Sequence, residues 1–485
     1  MPARTGAAYI QGLKDHPAEV WIGGERVDDV TTHPAFRGGL RSIASLYEMQ
    51  HDPDLRDEMT YVSPTTGDRV GLSFIVPRTQ DELERRRVMM LHWARTSCGM
   101  MGRSPDFMNV NFAAWSAAAD YFSQNRAEAK ANIANYYEYI REHDLTLTHS
   151  LINLQRSRTM TGDFNLAEGT ALRAVKETDA GIVVRGARVL ATLGPISDEI
   201  AVYSPRLGRM TAASAPFALN FALPCNTPGL QFLCRDSFDL GRTRFDHPLG
   251  SRFEEMDAIV FFNDVLVPWE RVFLYGDPQL INDTAVRTHS SVHTAHQGAA
   301  KNLAKSELLL GVALMMAETL GTSDLPHSQE RIAELMMYTE VMKSSLRASE
   351  ADAKLDEWGV MCPDPMPIEV IRSLFMTVYP KMVEILQLLG SSSLMALPSE
   401  ADFDTPLAAN IEQYLATDTR TARDRVQLFR LAWDIACSSF GGRQELYERF
   451  FAGDPLSRAR FLFNNYPKDA ALERVSAFLQ SEPPA

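Results

Sequence analysis

Two residues placed at breaks in the chain carry the chemical argument: the arginine at 103 and the histidine at 149. Arg103 lies in the stretch 95–109, where an apolar, helix-patterned run gives way to Gly102, Arg103, Ser104 and Pro105. Pro105 disfavours a helical backbone at Ser104. The sequence therefore puts Arg103 at an element boundary, where its guanidinium can point at a ligand rather than at bulk water. That group is planar, charged and rigidly forked, which suits a phenolate, a carboxylate or a phosphate. An ordinary surface arginine at a helix end is the competing reading. His149 sits beside an apolar run and is followed by Asn153, Gln155, Arg156 and Arg158. Amides and arginines at close spacing can bind a polar heterocycle and phosphates. A histidine that titrates near neutrality can bind or deprotonate a phenol. A lone histidine is otherwise more often a satisfied structural residue.

Two further segments combine polar groups with a backbone break. Thr192 stands at a strand end just before Gly194 and Pro195, where its plainest role is a turn. Residues 438–447 carry Gly441, Gly442, Arg443 and Gln444 at a helix terminus. Helix N-termini favour anions such as a pyrophosphate, although a simple Gly-Gly break explains the same letters. The chain holds no G-x-G-x-x-G after a strand, no P-loop, no H-E-x-x-H and no G-x-S-x-G. A built-in nicotinamide or nucleoside-triphosphate site is therefore not evident.

The elements that must position these residues follow one another in three blocks. Residues 1–144 read as a helical domain. Thr79 and Glu82 form a capping-box start, a helix continues through Arg85–Cys98, and further helical runs cover 112–124 and 127–142. The tyrosines at 136 and 137 read as packing. Residues 145–280 read as a β domain, barrel or sandwich, from short strand-like runs near 181, 200, 218, 229 and 258 separated by turn signals. Pro268 closes the last of them. Residues 281–485 read as a helical bundle with a C-terminal tail, its long amphipathic runs at 303–320, 332–358, 369–389 and 422–440. The methionine pairs at 315–316 and 336–337 read as core filler.

With 485 residues, 45% hydrophobic and 23% charged, the chain has an ordinary globular composition. A net charge of −14 and the lack of a basic run argue against a nucleic-acid surface. Five scattered cysteines give neither a disulfide framework nor a zinc knuckle. No metal site is expected, and reduced thiols point to a cytoplasmic location. Neither a secretory signal nor a membrane span is expected.

Taken together, several long stretches resemble one family. They are Gly102–Asp106, Leu147–His149 with Gln155, Glu255–Val260, Asp264–Phe273 and Phe440–Phe450. The chain is similar in these to the oxygenase components of two-component 4-hydroxyphenylacetate 3-monooxygenases, a family that includes chlorophenol hydroxylases. The resemblance implies a mostly α, α+β, acyl-CoA-dehydrogenase-like fold with N-terminal helices, a middle β domain and a C-terminal four-helix bundle. It implies reduced FAD and O2 as co-substrates, a separate NAD(P)H:flavin reductase, and a homotetramer (a dimer of dimers) or dimer built through the bundle. The implied chemistry is formation of a C4a-hydroperoxyflavin and hydroxylation ortho to a phenol hydroxyl. Arg103 and His149 match the phenol-binding, catalytic positions, with Phe107, Ser204 and Pro205 on the substrate side. His149, Ser150, Leu151, Gln155, Arg156, Ser157, Arg158, Thr192, Gly441, Gly442, Arg443 and Gln444 match the flavin side. The segment from Ser204 to Pro216, with Gly208, Ala212 and Ala213, is implied to cover the substrate as a mobile loop. Two departures stand out: Phe107 occupies a position where the family's hydroxyphenylacetate enzymes carry tyrosine, and Leu154 replaces a proline. Both bear on 4-hydroxyphenylacetate as the substrate more than on the reaction type. The alternatives on this fold are an acyl-CoA dehydrogenase, a 4-hydroxybutyryl-CoA dehydratase and a non-catalytic scaffold. The dehydratase would need clustered cysteines, and Cys98 has only Gly102 four residues on. His293 and His296 are candidates for the flavin or substrate side, with histidines on a helix surface the equal alternative.

Overall fold

The computed structural model describes residues 3–154, 169–203 and 210–480. The expectations placed on Gln155, Arg156, Ser157, Arg158, Ser204, Pro205 and Gly208 lie outside the described residues.

The N-terminal helices form where capping and apolar spacing agree. The helix Gln80–Thr96 starts as the sequence predicts: the Glu82 N–H donates to Thr79 Oγ1, and the Thr79 N–H donates to Glu82 Oε2, each at 3.2 Å. The helix Asp106–Ala117 begins six residues earlier than the patterning at Phe112 suggested. Apart from two residues at its C-terminal end it is buried along its length, so it has no polar face to mark its start. This block is not purely helical. Its strand Glu19–Ile22 runs parallel to Leu230–Cys234 in the middle of the chain.

Two open sheets make the β region. The larger runs in the order Glu25–Arg26, Glu19–Ile22, Leu230–Cys234, Asp257–Pro268, Gly181–Thr192, Ile152–Asn153, with Arg173–Thr178 also paired to Gly181–Thr192. The smaller runs Val272–Tyr275, Leu219–Pro224, Glu199–Val202, Leu147–Ser150. Phe221 of one sheet meets Phe262 of the other edge to face at 6.2 Å. Among the described residues neither sheet closes on itself. The arrangement is a sandwich, and the barrel alternative is not adopted.

Four long helices follow: Ser290–Thr319, Pro326–Ala351, Pro365–Gly390 and Ala422–Ala436. Leu309, Met316, Leu335, Met342, Phe375, Met382 and Phe429 are buried among them. Each such side chain contributes about 1.5–3 kcal/mol by leaving water. The reading of the methionine pairs as core filler holds for Met316 only. Met315, Met336 and Met337 are exposed. A shorter helix, Ser439–Phe450, leaves the bundle and turns back to the β region. The last two helices, Pro455–Asn465 and Asp469–Gln480, bury no residue, and Phe463, Leu472 and Phe478 point outward. No helix among the described residues is long and apolar enough to cross a membrane.

Candidate active site

Arg103 stands where the sequence places it, in the break before the helix Asp106–Ala117. Pro105 occupies the cap position, and Ser104 Oγ donates to Asp106 Oδ1 at 2.6 Å. Burial pushes the Asp106 carboxyl up to about 6, against hydrogen bonds from Ser104 and Gln297. The Arg103 backbone N–H donates to Glu255 Oε1 at 2.7 Å. Its guanidinium donates from Nη1 to Tyr447 Oη at 2.7 Å and to the Gly102 carbonyl at 3.2 Å. The guanidinium carbon lies 4.1 Å from the Phe107 ring centre and 4.5 Å from that of Phe451. Such cation–ring contacts are worth about 0.5–2 kcal/mol each, the more so when dry.

His149 reaches the same place from the β side. Its strand, Leu147–Ser150, pairs in parallel with Glu199–Val202, which sets His149 opposite Ala201. The imidazole is buried. It stacks on Phe107 at 5.4 Å and 26°, and on Tyr203 at 5.7 Å and 20°. Phe107 thus joins the two residues singled out for phenol chemistry, one from a helix start and one from a strand. Tyr203 was not anticipated. Its Oη accepts from Asn111 Nδ2 at 3.4 Å, and its ring meets Trp115 at 5.1 Å.

The residues expected on the flavin side fall into two groups. Ser150 Oγ and Asn153 Oδ1 are buried and have no hydrogen-bond partner among the described residues, and the Leu151 carbonyl accepts from Arg188 at 2.9 Å. A Cβ added at Gly442 would meet nothing within 4 Å, so the start of the helix Ser439–Phe450 is open there. Unpartnered polar atoms beside His149 and an open helix start fit the polar ring edge and the phosphates of a flavin. The second group faces inward. Gly441 packs so closely that a Cβ would fall 2.2 Å from the Ile435 carbonyl, and its N–H donates to Ser438 Oγ at 3.0 Å. Arg443 is turned to the β region. It donates through Nε and Nη2 to the two oxygens of Asp257 and through Nη1 to Glu255 Oε2. Thr192 Oγ1 donates to the same Asp257 at 2.7 Å. Gln444 is buried, donating to the Met100 carbonyl and accepting from Lys305. These side chains build the floor of the site.

Below that floor, Glu448 Oε1 accepts from both Lys301 and Lys305, at 2.5 and 2.6 Å. All three are buried. Burial lowers the Lys301 ammonium to about 7, although Glu448 pulls the other way. Glu255, Asp257, Tyr447 and Phe451 carry as much of the geometry as the anticipated residues. Glu255, Asp257 and Tyr447 lie inside stretches that carried the family resemblance, but nothing in their local spacing marked them.

His293 and His296 sit behind this site. His293 Nδ1 contacts Arg86 Nη2 at 2.9 Å, and His296 Nε2 contacts Glu350 at 2.9 Å. Burial lowers the pKa of both rings. His289, Asp356 and Cys362 bring three potential ligand atoms within 4.8 Å of one another, a grouping the sequence did not announce. Asp356 Oδ1 there accepts the N–H groups of Trp358 and Val360, and burial pushes the Cys362 thiol up to about 12.

The fold is of the acyl-CoA-dehydrogenase-like class. The N-terminal profile of the 4-hydroxyphenylacetate 3-hydroxylase family matches residues 5–274, and the C-terminal profile of the same family matches residues 281–480. The chain belongs to this family. It is 46% identical over 478 residues to the 4-hydroxyphenylacetate 3-monooxygenase oxygenase component of Thermus thermophilus, covering 99% of this chain and 98% of that one. It is 34% identical to a Rhodococcus 4-nitrophenol 2-monooxygenase oxygenase component, covering 99% and 92%. A crystal structure of the oxygenase component of 4-hydroxyphenylacetate 3-monooxygenase complexed with FAD and 4-hydroxyphenylacetate superposes with a TM-score of 0.94 at 46% identity, covering 98% of each chain. An archaeal 4-hydroxybutyryl-CoA dehydratase shares the fold at 17% identity, with a TM-score of 0.87 over 100% of this chain and 96% of that one.

Proposed function

We propose that the chain is the oxygenase component of a two-component phenol hydroxylase that uses reduced FAD and O2. The observation that carries this reading is the Arg103 guanidinium, held against Phe107 and Phe451 with His149 stacked on Phe107. Among the described residues it pairs with no carboxylate. Arg103 receives the phenol oxygen and favours its ionised form, which makes the ortho carbon more nucleophilic. His149 holds a proton or a hydrogen bond at that same oxygen. Phe107 and Tyr203 hold the aromatic ring, and orientation of this kind supplies much of the rate. Reduced FAD, when bound, supplies with O2 the oxygen atom that replaces the ortho hydrogen, the other oxygen leaving as water. His149, Ser150, Leu151 and the open helix start at Gly442 face the flavin, together with Gln155–Arg158, while Thr192, Gly441, Arg443 and Gln444 support it from the floor. Ser204 and Pro205 belong to the substrate side.

The substrate is a phenol, and the absence of a hydroxyl on Phe107 is what sets it apart from 4-hydroxyphenylacetate as the default choice. A separate NAD(P)H:flavin reductase supplies the reduced FAD. The exposed apolar side chains of the last two helices support association with further copies of the chain, as a homotetramer (a dimer of dimers) or a dimer. The five free cysteines support a cytoplasmic location. The test loads the purified chain with reduced FAD without air, then adds a phenol and O2 labelled with heavy oxygen. A catechol carrying one labelled atom is expected. Reoxidised flavin with hydrogen peroxide alone, across a panel of phenols, would sink the proposal.

A further inference from the structure

We infer that Tyr447 is the positioning residue that aims Arg103 at the phenol oxygen while leaving its charge uncancelled. This rests on the reading of Arg103 as the phenolate-binding group. Among the described residues, every group that holds the Arg103 side chain is neutral: Tyr447 Oη, the Gly102 carbonyl and the rings of Phe107 and Phe451. The carboxylate closest to its backbone is already committed. Glu255 gives Oε1 to the Arg103 N–H and Oε2 to Arg443 Nη1. A carboxylate in place of the Tyr447 hydroxyl would fix the guanidinium as firmly, but it would compete with an anionic ligand for the same charge. A phenolic oxygen fixes it and leaves that charge to the substrate. Tyr447 stays neutral in this role, because burial pushes its hydroxyl well above the usual range, although Arg103 opposes the shift.

Tyr447 is itself held from several sides. Its ring stacks on Phe451 at 5.1 Å and 16°. The Arg443 guanidinium carbon lies 4.9 Å from its centre and Lys301 Nζ lies 5.1 Å away. The next residue, Glu448, is clamped by the two lysines. Gly102 admits the contact: a Cβ at that position would sit 2.2 Å from Tyr447 Oη. The glycine before Arg103 and the tyrosine of a helix more than three hundred residues later therefore form one device.

The test uses the full chain without flavin and 4-nitrophenol, whose phenolate is coloured and whose phenol is not. Absorbance then gives both the Kd and the pH midpoint of the bound probe. Tyr447→Phe keeps the ring and removes the acceptor. It is expected to raise the Kd for the phenolate about tenfold, the value of one hydrogen bond to a charged group, and to move the bound midpoint upward. Gly102→Ala is expected to give the same upward shift by displacing the hydroxyl. Arg103→Met is the control. If Tyr447→Phe and Gly102→Ala leave Kd and midpoint unchanged while Arg103→Met abolishes binding, Tyr447 only packs and the inference fails alone. If Arg103→Met also binds the phenolate normally, the reading of Arg103 fails with it. A purely structural role would lower the melting temperature without moving the bound midpoint.

Discussion

The Asp257 carboxylate receives Arg443 through both of its oxygens, from Nη2 to Oδ1 at 2.8 Å and from Nε to Oδ2 at 3.0 Å. This pair fastens the helix Ser439–Phe450 to the strand Asp257–Pro268. Breaking a buried pair by removing one charge leaves the other uncompensated. Asp257→Asn is therefore expected to cost about 3 kcal/mol, read as a lower midpoint in urea unfolding.

The same pair sets a response to acid. Burial alone would raise the Asp257 carboxyl, but Arg443, with Arg235 and Thr192, holds it down to about 2, below its ordinary 3.8. A carboxyl depressed in the folded state adds stability that is complete above the unfolded value and is lost as pH falls through the folded one. The gain is worth about 2 kcal/mol. The stability gap between the native chain and Asp257→Asn should narrow as pH falls from 3.8 towards about 2. Unfolding curves at matched pH values check this. Asp106, raised by burial to about 6, acts in the opposite sense and is common to both proteins.

Arg103→Lys preserves a positive charge but loses the flat fork seated against Phe107 and Phe451. Catechol formation is expected to fall at least tenfold in kcat/KM, an effect of about 1.4 kcal/mol or more. Flavin binding, followed by fluorescence, should change little, since the proposal puts Arg103 on the substrate side. Equal activity of the lysine variant would show that charge alone suffices.

Phe107→Tyr restores a hydroxyl next to His149 while keeping the stacked ring. The variant is expected to gain on 4-hydroxyphenylacetate relative to the native chain, seen as a lower KM. Stability should stay within about 1 kcal/mol. An unchanged ranking of phenols would detach Phe107 from substrate choice.

Removal of residues 454–485 takes away two helices that have no buried residue of their own and are tied to the bundle by the Arg458–Glu369 pair. The monomer fold should survive, judged by circular dichroism, while sedimentation shows a smaller assembly than the full chain. Retention of the full-size particle would place the subunit contacts elsewhere.

The three-block order was legible because helix patterning is local. Thr79 and Glu82 lie three residues apart, and their capping box is present as read. The strand Glu19–Ile22 was not legible. It is four residues long, and its partner in the sheet lies some two hundred residues later. The site shows the same division. Arg103 and His149 announced themselves through a proline break and a run of polar neighbours. Tyr447, Glu255 and Asp257 did not, because each acts on a residue far away in sequence and sits locally in an ordinary helix or strand context. Met336 and Met337 misled in the reverse direction. Their apolar type suggested a core, yet they face outward.

The parallel pairing of Glu19–Ile22 with Leu230–Cys234 also has a meaning for synthesis. On a ribosome adding 5–20 residues each second, the first strand emerges on the order of ten to forty seconds before the second exists. Through that interval its unpaired backbone can dock on other nascent chains. The short strand Glu25–Arg26, antiparallel to it, covers one side in the meantime. The opposite side stays open until Leu230–Cys234 arrives, so the yield of folded protein should depend on elongation speed through the middle of the message.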